Sequence, residues 1–200
     1  MATICVFCAS SERIDPSYVE LATAVGAELA RRGHDLVSGG GSVSCMGAVA
    51  RAARAGGART VGVIPHALTR TEIADHAADE LVVTDDMRAR KGEMDRRADA
   101  FLTLPGGVGT LEELMEIWVS RVLQMHDKPV VVLDPDGVFA PLREQVDLLV
   151  RRGFARPSVR DAVAWVTTVG AAFDALERST PVLPPARDEL LEAEPAGPDA

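Results

Sequence analysis

The fold of this chain is decided by the stretch Ala98-Asp99-Ala100-Phe101-Leu102-Thr103-Leu104-Pro105-Gly106-Gly107-Val108-Gly109-Thr110. An apolar run of strand length passes into a glycine-rich turn, and the pattern that follows the turn is that of a helix. We expect Gly106, Gly107 and Gly109 to take positive φ and to let a ligand come close to the backbone. Because the first N–H groups of a helix lack partners and its dipole is positive there, the turn up to Thr110 predicts an anion-binding site.

Short apolar runs alternate with amphipathic stretches on both sides of this unit. Such alternation is typical of successive βα units, so we predict an α/β protein with a Rossmann-like, mostly parallel sheet flanked by helices on both faces. The predicted strands cover residues 4–8, 34–37, 60–64, 81–84, 98–104, 129–133 and 162–166. The predicted helices cover residues 16–33, 46–55, 87–97, 109–124, 138–151 and 169–178.

Composition favours a single domain over residues 1–179, since 47% of the 200 residues are hydrophobic. Residues 180–200 are rich in Pro, Ala and Glu without periodicity, and we expect them to be disordered. A net charge of −9 disfavours nucleic-acid binding, because phosphate backbones are held by basic surfaces. No apolar run reaches the ~20 residues of a membrane span, and the basic start of a signal peptide is missing, so we expect a cytoplasmic protein.

The cysteines and histidines predict neither a metal site nor another cofactor. Cys5 and Cys8 have Cys-x-x-Cys spacing, but Cys5 lies inside a strand, and the two side chains are expected on opposite faces of the sheet. Together with Cys45 they are interpreted as buried thiols. The four histidines are scattered without metal-ligand spacing.

A second glycine-rich segment, Gly39-Gly40-Gly41-Ser42, follows the second predicted strand, and Ser10 follows the first. The carboxyl ends of parallel strands meet at one edge of a sheet, where ligands bind, so these segments are expected to share a site with the Pro105 turn. A plain glycine-rich turn is the alternative for either segment. Neither has the spacing of a P-loop or a dinucleotide fingerprint, which disfavours ATP hydrolysis and hydride transfer.

Charged residues flank the predicted anion site. Glu112 and Glu113 lie in the first turn of the helix, and because neighbours on a helix diverge by roughly 100°, only one is expected to point into the site. A carboxylate there would lie over the sugar of a bound nucleotide, where positive charge develops as a glycosidic bond breaks. Arg90 and Lys91 follow the fourth strand, and an arginine can clamp phosphate or ribose oxygens and hold the carboxylate. The alternatives are helix-stabilising acids and a solvated basic face.

These residues resemble the LONELY GUY family of phosphoribohydrolases, whose members were long described as lysine decarboxylases. The family motif Pro-Gly-Gly-x-Gly-Thr-x-x-Glu is matched by Pro105–Glu113, and Met-x-x-Arg-Lys by Met87, Arg90 and Lys91. The glycine segment with Met46-Gly47, and residues 6–11, resemble the family's glycine loop and its first strand and turn. The resemblance covers residues 4–154, with Ala9, Ser44-Cys45 and Arg88 standing where the family usually has Gly, Gly-Leu and His.

The resemblance implies hydrolysis of the N-glycosidic bond of an N6-modified AMP, giving free base and ribose 5-phosphate, in a homodimer or higher assembly. It implies Arg90 and Glu113 as the catalytic pair. The residues expected to bind the substrate are Ser10, Gly40, Gly41, Ser42, Met87, Lys91, Gly106, Gly107, Gly109 and Thr110. Two alternatives stay open: a broader purine and pyrimidine monophosphate nucleosidase, and a non-catalytic nucleotide-binding or carrier protein. Lysine decarboxylation is disfavoured, because neither Lys91 nor Lys128 has a pyridoxal-phosphate context.

Overall fold

A computed structural model describes residues 1–69 and 74–178. The strands in this part of the chain are β1 (Thr3–Phe7), β2 (Asp35–Ser38), β3 (Thr60–Pro65), β4 (Glu80–Thr84), β5 (Ala100–Thr103), β6 (Val130–Leu133) and β7 (Ala164–Val166). They pair in parallel in the order β4-β3-β2-β1-β5-β6-β7. The α-helices are α1 (Pro16–Arg31), α2 (Ser44–Ala55), α3 (Met87–Arg97), α4 (Val108–Val122), α5 (Ala140–Arg151) and α6 (Val169–Glu177).

The predicted α/β architecture is confirmed, and each predicted element is present with its ends shifted by no more than a few residues. Strand ends move because pairing with a neighbouring strand, which no local pattern encodes, determines where a strand stops. The helix predicted at residues 87–97 is found with those bounds, because Asp86 caps its first turn by accepting from the Ala89 amide at 2.8 Å. The predicted tail, residues 180–200, lies outside the described residues.

Helices cover both faces of the sheet, and each face has its own apolar core. On one face, α1, α2 and α6 contribute Val25, Val49 and Phe173. On the other face, α3, α4 and α5 contribute residues such as Met94 and Leu114. Burial on both faces explains why the central strands read as continuous apolar runs.

The three cysteines are free and buried in these cores. Cys8 packs on the face covered by α1 and α2, whereas Cys5 packs on the face covered by α3 and α4. The two thiols of the Cys-x-x-Cys spacing are therefore on opposite sides of the sheet, as expected. No helix in residues 1–69 and 74–178 has the length and apolarity to cross a bilayer.

The strand order reverses between β1 and β5, where Phe7 is paired with Thr103. The chain continues from β1 to β2, β3 and β4 on one side, and from β5 to β6 and β7 on the other. Loops that leave the carboxyl ends of two such strands diverge and leave a crevice between them, which is where ligands bind in open α/β sheets.

Candidate active site

A cavity of about 590 Å³ lies at this reversal point. Its walls come from the loop after β1, the start of α2, the segment after β3, the first turn of α3 and the turn between β5 and α4. This volume lies within the usual range of small-molecule sites, roughly 300–1,000 Å³. Of the segments that the sequence predicts at one sheet edge, the loop with Ser10 and the Pro105 turn therefore meet around this cavity.

The turn before α4 forms one wall, with Gly106, Gly107, Gly109 and Thr110 all lining the cavity. Gly107 is the N-cap residue, and its carbonyl accepts the first bond from the Leu111 amide at 3.0 Å. Residues 108–110 occupy the first turn of the helix, whose N–H groups have no acceptor within the helix and no side-chain cap from Gly107. The turn therefore presents N–H groups and the positive end of a 15-residue helix to the cavity.

The expectation of positive φ in this turn is wrong, since Gly107 has φ of −86° and neither Gly106 nor Gly109 has positive φ. Glycine is needed here for a different reason, which is close approach. A Cβ on Gly106 would lie 2.2 Å from Thr110 Oγ1, so the buried threonine packs directly on that glycine. A Cβ on Gly107 or Gly109 would meet nothing within 4 Å in the described part of the chain. The fold leaves these two positions open towards the cavity, as an anion-binding backbone requires.

Among the three glutamates at the start of α4, Glu113 lines the cavity. Glu112 and Glu116 contact Lys91 instead, each with a carboxylate oxygen 2.5 Å from Nζ. These two hydrogen bonds raise the pKa of the Lys91 ammonium. The prediction that only one of the adjacent glutamates points into the site is confirmed, and the residue that does so is Glu113.

Lys91 was expected to bind the substrate, but it does not line the main cavity in the described part of the chain. It lies between α3 and α4 and borders a separate space of about 80 Å³, together with Glu113 and His126. His126 Nε2 is 3.0 Å from the Ile117 carbonyl, and burial lowers the pKa of this histidine. The position of Lys91 makes it a link between the two helices that carry Arg90 and Glu113.

Arg90 is a buried guanidinium on the cavity wall, only 5% exposed. Its Nε donates to the Val63 carbonyl at 3.1 Å, and its Nη2 donates to the Gly39 carbonyl at 3.0 Å. A carbonyl just after β2 and one within β3 thus hold its orientation. Arg90 and Glu113 come from α3 and α4 and border the same cavity, which is the arrangement that the sequence predicts.

The residues Gly40, Gly41 and Ser42 of the glycine segment were expected to bind the substrate. They are not among the described residues that line the cavity. Gly40 has φ of +75°, and the Gly41 amide contacts Met46 Sδ at 3.1 Å, so the segment supports Arg90 and Met46. Direct binding of substrate by Gly40, Gly41 and Ser42 stays a prediction.

Ser10 and Met87, in contrast, line the cavity as expected. Sequence reasoning missed an apolar wall, to which Ile14, Tyr18 and Leu68 contribute side chains. Val138, from the loop after β6, was also missed. Its position in the sequence could have predicted this placement, because Val138 follows a strand that neighbours β5 and the loops after such strands lie at the same edge of the sheet.

The thiol of Cys8 also borders the cavity. Burial raises its pKa well above the usual value, and the negative charge of Glu113 acts in the same direction. A thiol held in its neutral form is a poor nucleophile, which disfavours covalent catalysis through this residue. No group of three or more His, Cys, Asp or Glu side chains within residues 1–69 and 74–178 is arranged to hold a metal ion.

Comparison with known proteins finds a matching family model and similar curated proteins. A family model described as "Possible lysine decarboxylase" matches residues 46–176. A cytokinin riboside 5′-monophosphate phosphoribohydrolase of Mycobacterium marinum is 51% identical over 179 residues, which cover 90% of this chain and 94% of that protein. The enzyme of the same name from Mycobacterium tuberculosis is 50% identical over 173 residues, covering 86% of this chain and 92% of that protein.

A solved structure of a molybdenum cofactor binding protein from Rippkaea orientalis has the same fold. It has a TM-score of 0.65 at 22% identity and covers 86% of this chain and 93% of that protein. The likeness at this level of identity concerns the fold alone.

Proposed function

Since the chain belongs to the LONELY GUY family of cytokinin riboside 5′-monophosphate phosphoribohydrolases, we propose that it hydrolyses the N-glycosidic bond of an N6-modified adenosine 5′-monophosphate. The products are the free base and ribose 5-phosphate. The observation that carries the proposal is that an anion-binding turn, a carboxylate and a buried arginine border one cavity.

The 5′-phosphate binds at the turn before α4. Gly107 and Gly109 leave room for its oxygens, and the N–H groups of residues 108–110 donate to them. Thr110 is buried against Gly106 and keeps the turn in this shape. Glycine at positions 107 and 109 matters for the ligand, whereas glycine at position 106 matters for the fold.

Glu113 acts on the sugar, one helical turn further along α4. A phosphate held at the helix N-terminus places the ribose over this carboxylate. As the bond from C1′ to the base nitrogen breaks, its electron pair leaves with the base and C1′ becomes positively charged. Glu113 stabilises that charge and takes a proton from the attacking water, whose oxygen bonds to C1′. The base nitrogen gains a proton from solvent, and Glu113 returns its proton to solvent before the next turnover.

Arg90 holds the ribose or the Glu113 carboxylate in place. Its guanidinium is fixed by the carbonyls of Gly39 and Val63 and so loses little freedom when the substrate binds. Burial in a site of low dielectric strengthens its attraction to phosphate and ribose oxygens. The role is electrostatic and positional, because a guanidinium offers N–H donors in a fixed plane and no acceptor.

The base lies against the apolar wall formed by Ile14, Tyr18, Leu68 and Met87. An apolar wall suits an adenine whose N6 carries a hydrocarbon substituent, since burial of each extra methylene contributes about 0.8 kcal/mol. Neither lysine borders this cavity: Lys91 binds Glu112 and Glu116, and Lys128 binds Asp95 at 2.8 Å. That arrangement disfavours a lysine-based reaction in the cavity.

The proposal is tested by incubating the purified protein with AMP, N6-isopentenyl-AMP, GMP and CMP, and measuring released base and ribose 5-phosphate. We expect equal amounts of base and ribose 5-phosphate, with the highest kcat/KM for the N6-substituted nucleotide. Equal rates on all four monophosphates would indicate the broader nucleosidase instead. Binding without release from any of them would indicate a carrier and would contradict the proposed hydrolysis.

The protein acts as a homodimer in this proposal. Met115 and Val119 on α4 and Leu123, its C-cap residue, are 36%, 47% and 59% exposed and recur every four residues. This apolar stripe lies on the helix whose N-terminus forms the phosphate site, so a second copy packed on it would lie beside the cavity. Light scattering after size-exclusion chromatography should give twice the chain mass, and Val119→Glu should give a monomer.

Leu148→Glu is the matched control for this surface, because Leu148 is 39% exposed but lies on α5. We expect it to remain dimeric. A dimer that survives Val119→Glu would contradict the stripe as the interface.

We further propose that the protein works in the cytoplasm. The three free, buried cysteines fit a reducing compartment. Fractionation of the source cells, followed by detection of the protein, tests this placement; recovery outside the cytoplasmic fraction would contradict it.

A further inference from the structure

Two segments of the cavity wall are joined at Ser44, the first residue of α2. This residue has φ of +51°, in the left-handed region that L-residues with a Cβ rarely adopt. Such strain persists only where the surroundings hold it, and it clusters at functional sites. A serine at this position therefore calls for a contact that glycine could not make.

That contact is a hydrogen bond from the Ser44 hydroxyl to the backbone carbonyl of Ser11, at 2.6 Å. Ser11 belongs to the loop after β1, and Ser10, Ser11 and Ile14 from this loop line the cavity. The bond is short and spans 33 residues of sequence, so it connects two elements that are otherwise remote along the chain.

A second bond reinforces the same junction. The Met46 amide donates to the Ala9 carbonyl at 3.3 Å, and the Met46 side chain also lines the cavity. Residues 8–15 contain no helix or strand, and residues 10–13 are exposed. The bonds to α2 thus help to position a loop that has no regular structure of its own.

We propose that Ser44 is a positioning residue for the substrate site, because its hydroxyl holds the Ser10–Ile14 wall against the start of α2. This inference rests on the proposed function, since that wall faces the nucleotide. Arg90 lies on α3 and Glu113 on α4, and neither takes part in the bonds of this junction. Loss of the hydroxyl therefore weakens nucleotide binding and leaves the chemical step intact.

Two variants separate the hydroxyl from the backbone strain. Ser44→Ala removes the hydroxyl and keeps a Cβ at positive φ, whereas Ser44→Gly removes the hydroxyl and relieves the strain. We expect KM for the monophosphate to rise about three- to tenfold in both variants, the range of one lost hydrogen bond, with kcat within twofold of the wild type. Thermal unfolding should nevertheless give Ser44→Gly a higher Tm than Ser44→Ala.

The matched control is Ser17→Ala. Ser17 Oγ donates to Asp15 Oδ1 at 2.7 Å at the far end of the same loop, and Ser17 does not line the cavity in the described part of the chain. We expect its KM and kcat to equal those of the wild type. Ser44→Gly alone decides the matter if Ser44→Ala does not fold.

Calorimetric titration of the same variants with AMP gives a readout that does not need turnover. A Kd that rises about three- to tenfold in both Ser44 variants supports the proposal, even if the wild type hydrolyses none of the four monophosphates. Absence of hydrolysis by the wild type contradicts the proposed function alone. Affinity within twofold of the wild type in Ser44→Gly overturns the positioning role of Ser44.

Discussion

The carbonyl oxygen of Gly39 accepts a hydrogen bond from Arg90 Nη2 at 3.0 Å. This bond joins the residue after β2 to α3 and gives the glycine segment Gly39–Ser42 a role other than direct ligand contact. The segment holds the guanidinium that borders the cavity. Two further bonds extend this support, since Arg90 Nε donates to Val63 and the Asp75 amide donates to the Gly40 carbonyl at 2.8 Å.

Replacement of Gly39 by Ala should therefore damage catalysis. The new Cβ would lie 2.0 Å from Arg90 Nη2, so the guanidinium must move. We expect kcat to fall about 10²–10³-fold, the usual cost of losing one electrostatic contact in the transition state. Steady-state release of ribose 5-phosphate measures the effect, and circular dichroism checks that the fold is retained.

The control for this variant is Gly92→Ala, on the same helix as Arg90. A Cβ there meets nothing within 4 Å in the described part of the chain. Alanine is the better helix former by about 1 kcal/mol, so we expect a higher Tm and unchanged kcat. Full activity in Gly39→Ala would show that Arg90 does not depend on this carbonyl.

Alanine substitutions in the turn before α4 should have different effects at different glycines: one should weaken phosphate binding and another should destabilise the fold. Gly109→Ala should keep or raise Tm, because the added methyl meets no other part of the described chain. It should weaken binding of ribose 5-phosphate about tenfold or more by occupying the space of a phosphate oxygen. Calorimetric titration of the variant and of the wild type with ribose 5-phosphate measures the two Kd values to be compared.

Gly106→Ala should behave in the opposite way, since its Cβ would lie 2.2 Å from Thr110 Oγ1. We expect a loss of about 1–3 kcal/mol in the free energy of unfolding, as for other overpacked sites. Gly109→Ala with unchanged affinity for ribose 5-phosphate would contradict the phosphate site.

The order of elements could be predicted because each strand and helix carries its own period in the sequence. The helix at residues 87–97 has the predicted bounds, and in the structure Asp86 caps its first turn. The choice between Glu112 and Glu113 could not be predicted from local pattern, because it depends on how α4 is rotated against α3. Lys91 on α3 fixes the rotation of α4 by binding Glu112 and Glu116.

Two other features lay beyond local sequence for the same reason. Positive φ is found at Gly40 and not at the glycines of the turn before α4. The sequence shows that a glycine is present, but not whether close packing or the backbone angle requires it. The apolar wall with Tyr18 and Leu68 comes from residues distant in sequence, and only the folded sheet brings them to one cavity. Ser44 stood out in the sequence as a departure from the family pattern, but its bond to Ser11 required coordinates.

Stability at acid pH should depend on Glu28, which binds Arg31 and Arg32 at the end of α1. Hydrogen bonds from Arg31 and then Arg32 lower the pKa of this carboxyl from 4.5 to about 2. A folded-state pKa below the unfolded value means that the stabilisation is present above the unfolded pKa and lost as pH falls through the folded one. Glu28→Gln should therefore cost about 1 kcal/mol at pH 7, the value of a favourable surface network.

The difference between Glu28→Gln and the wild type should shrink between about pH 4.5 and 2, the two pKa values of the carboxyl. Urea unfolding at several pH values measures it. Glu20→Gln, an exposed site on the same helix, should change the free energy of unfolding by less than about 0.5 kcal/mol. A difference that is constant from pH 7 to 3 would contradict the pKa shift.

The central claim is that Glu113, placed in the cavity beside the phosphate turn, makes the site hydrolytic. Its neighbour Glu112 binds Lys91 and provides a matched control. The most direct measurement is the rate of base release from N6-isopentenyl-AMP by Glu113→Gln and Glu112→Gln, together with the Kd of each variant for the nucleotide. We predict a loss of at least about 10³-fold in kcat for Glu113→Gln with Kd within a few-fold of the wild type, and near-normal kcat for Glu112→Gln. Wild-type turnover by Glu113→Gln would contradict the account.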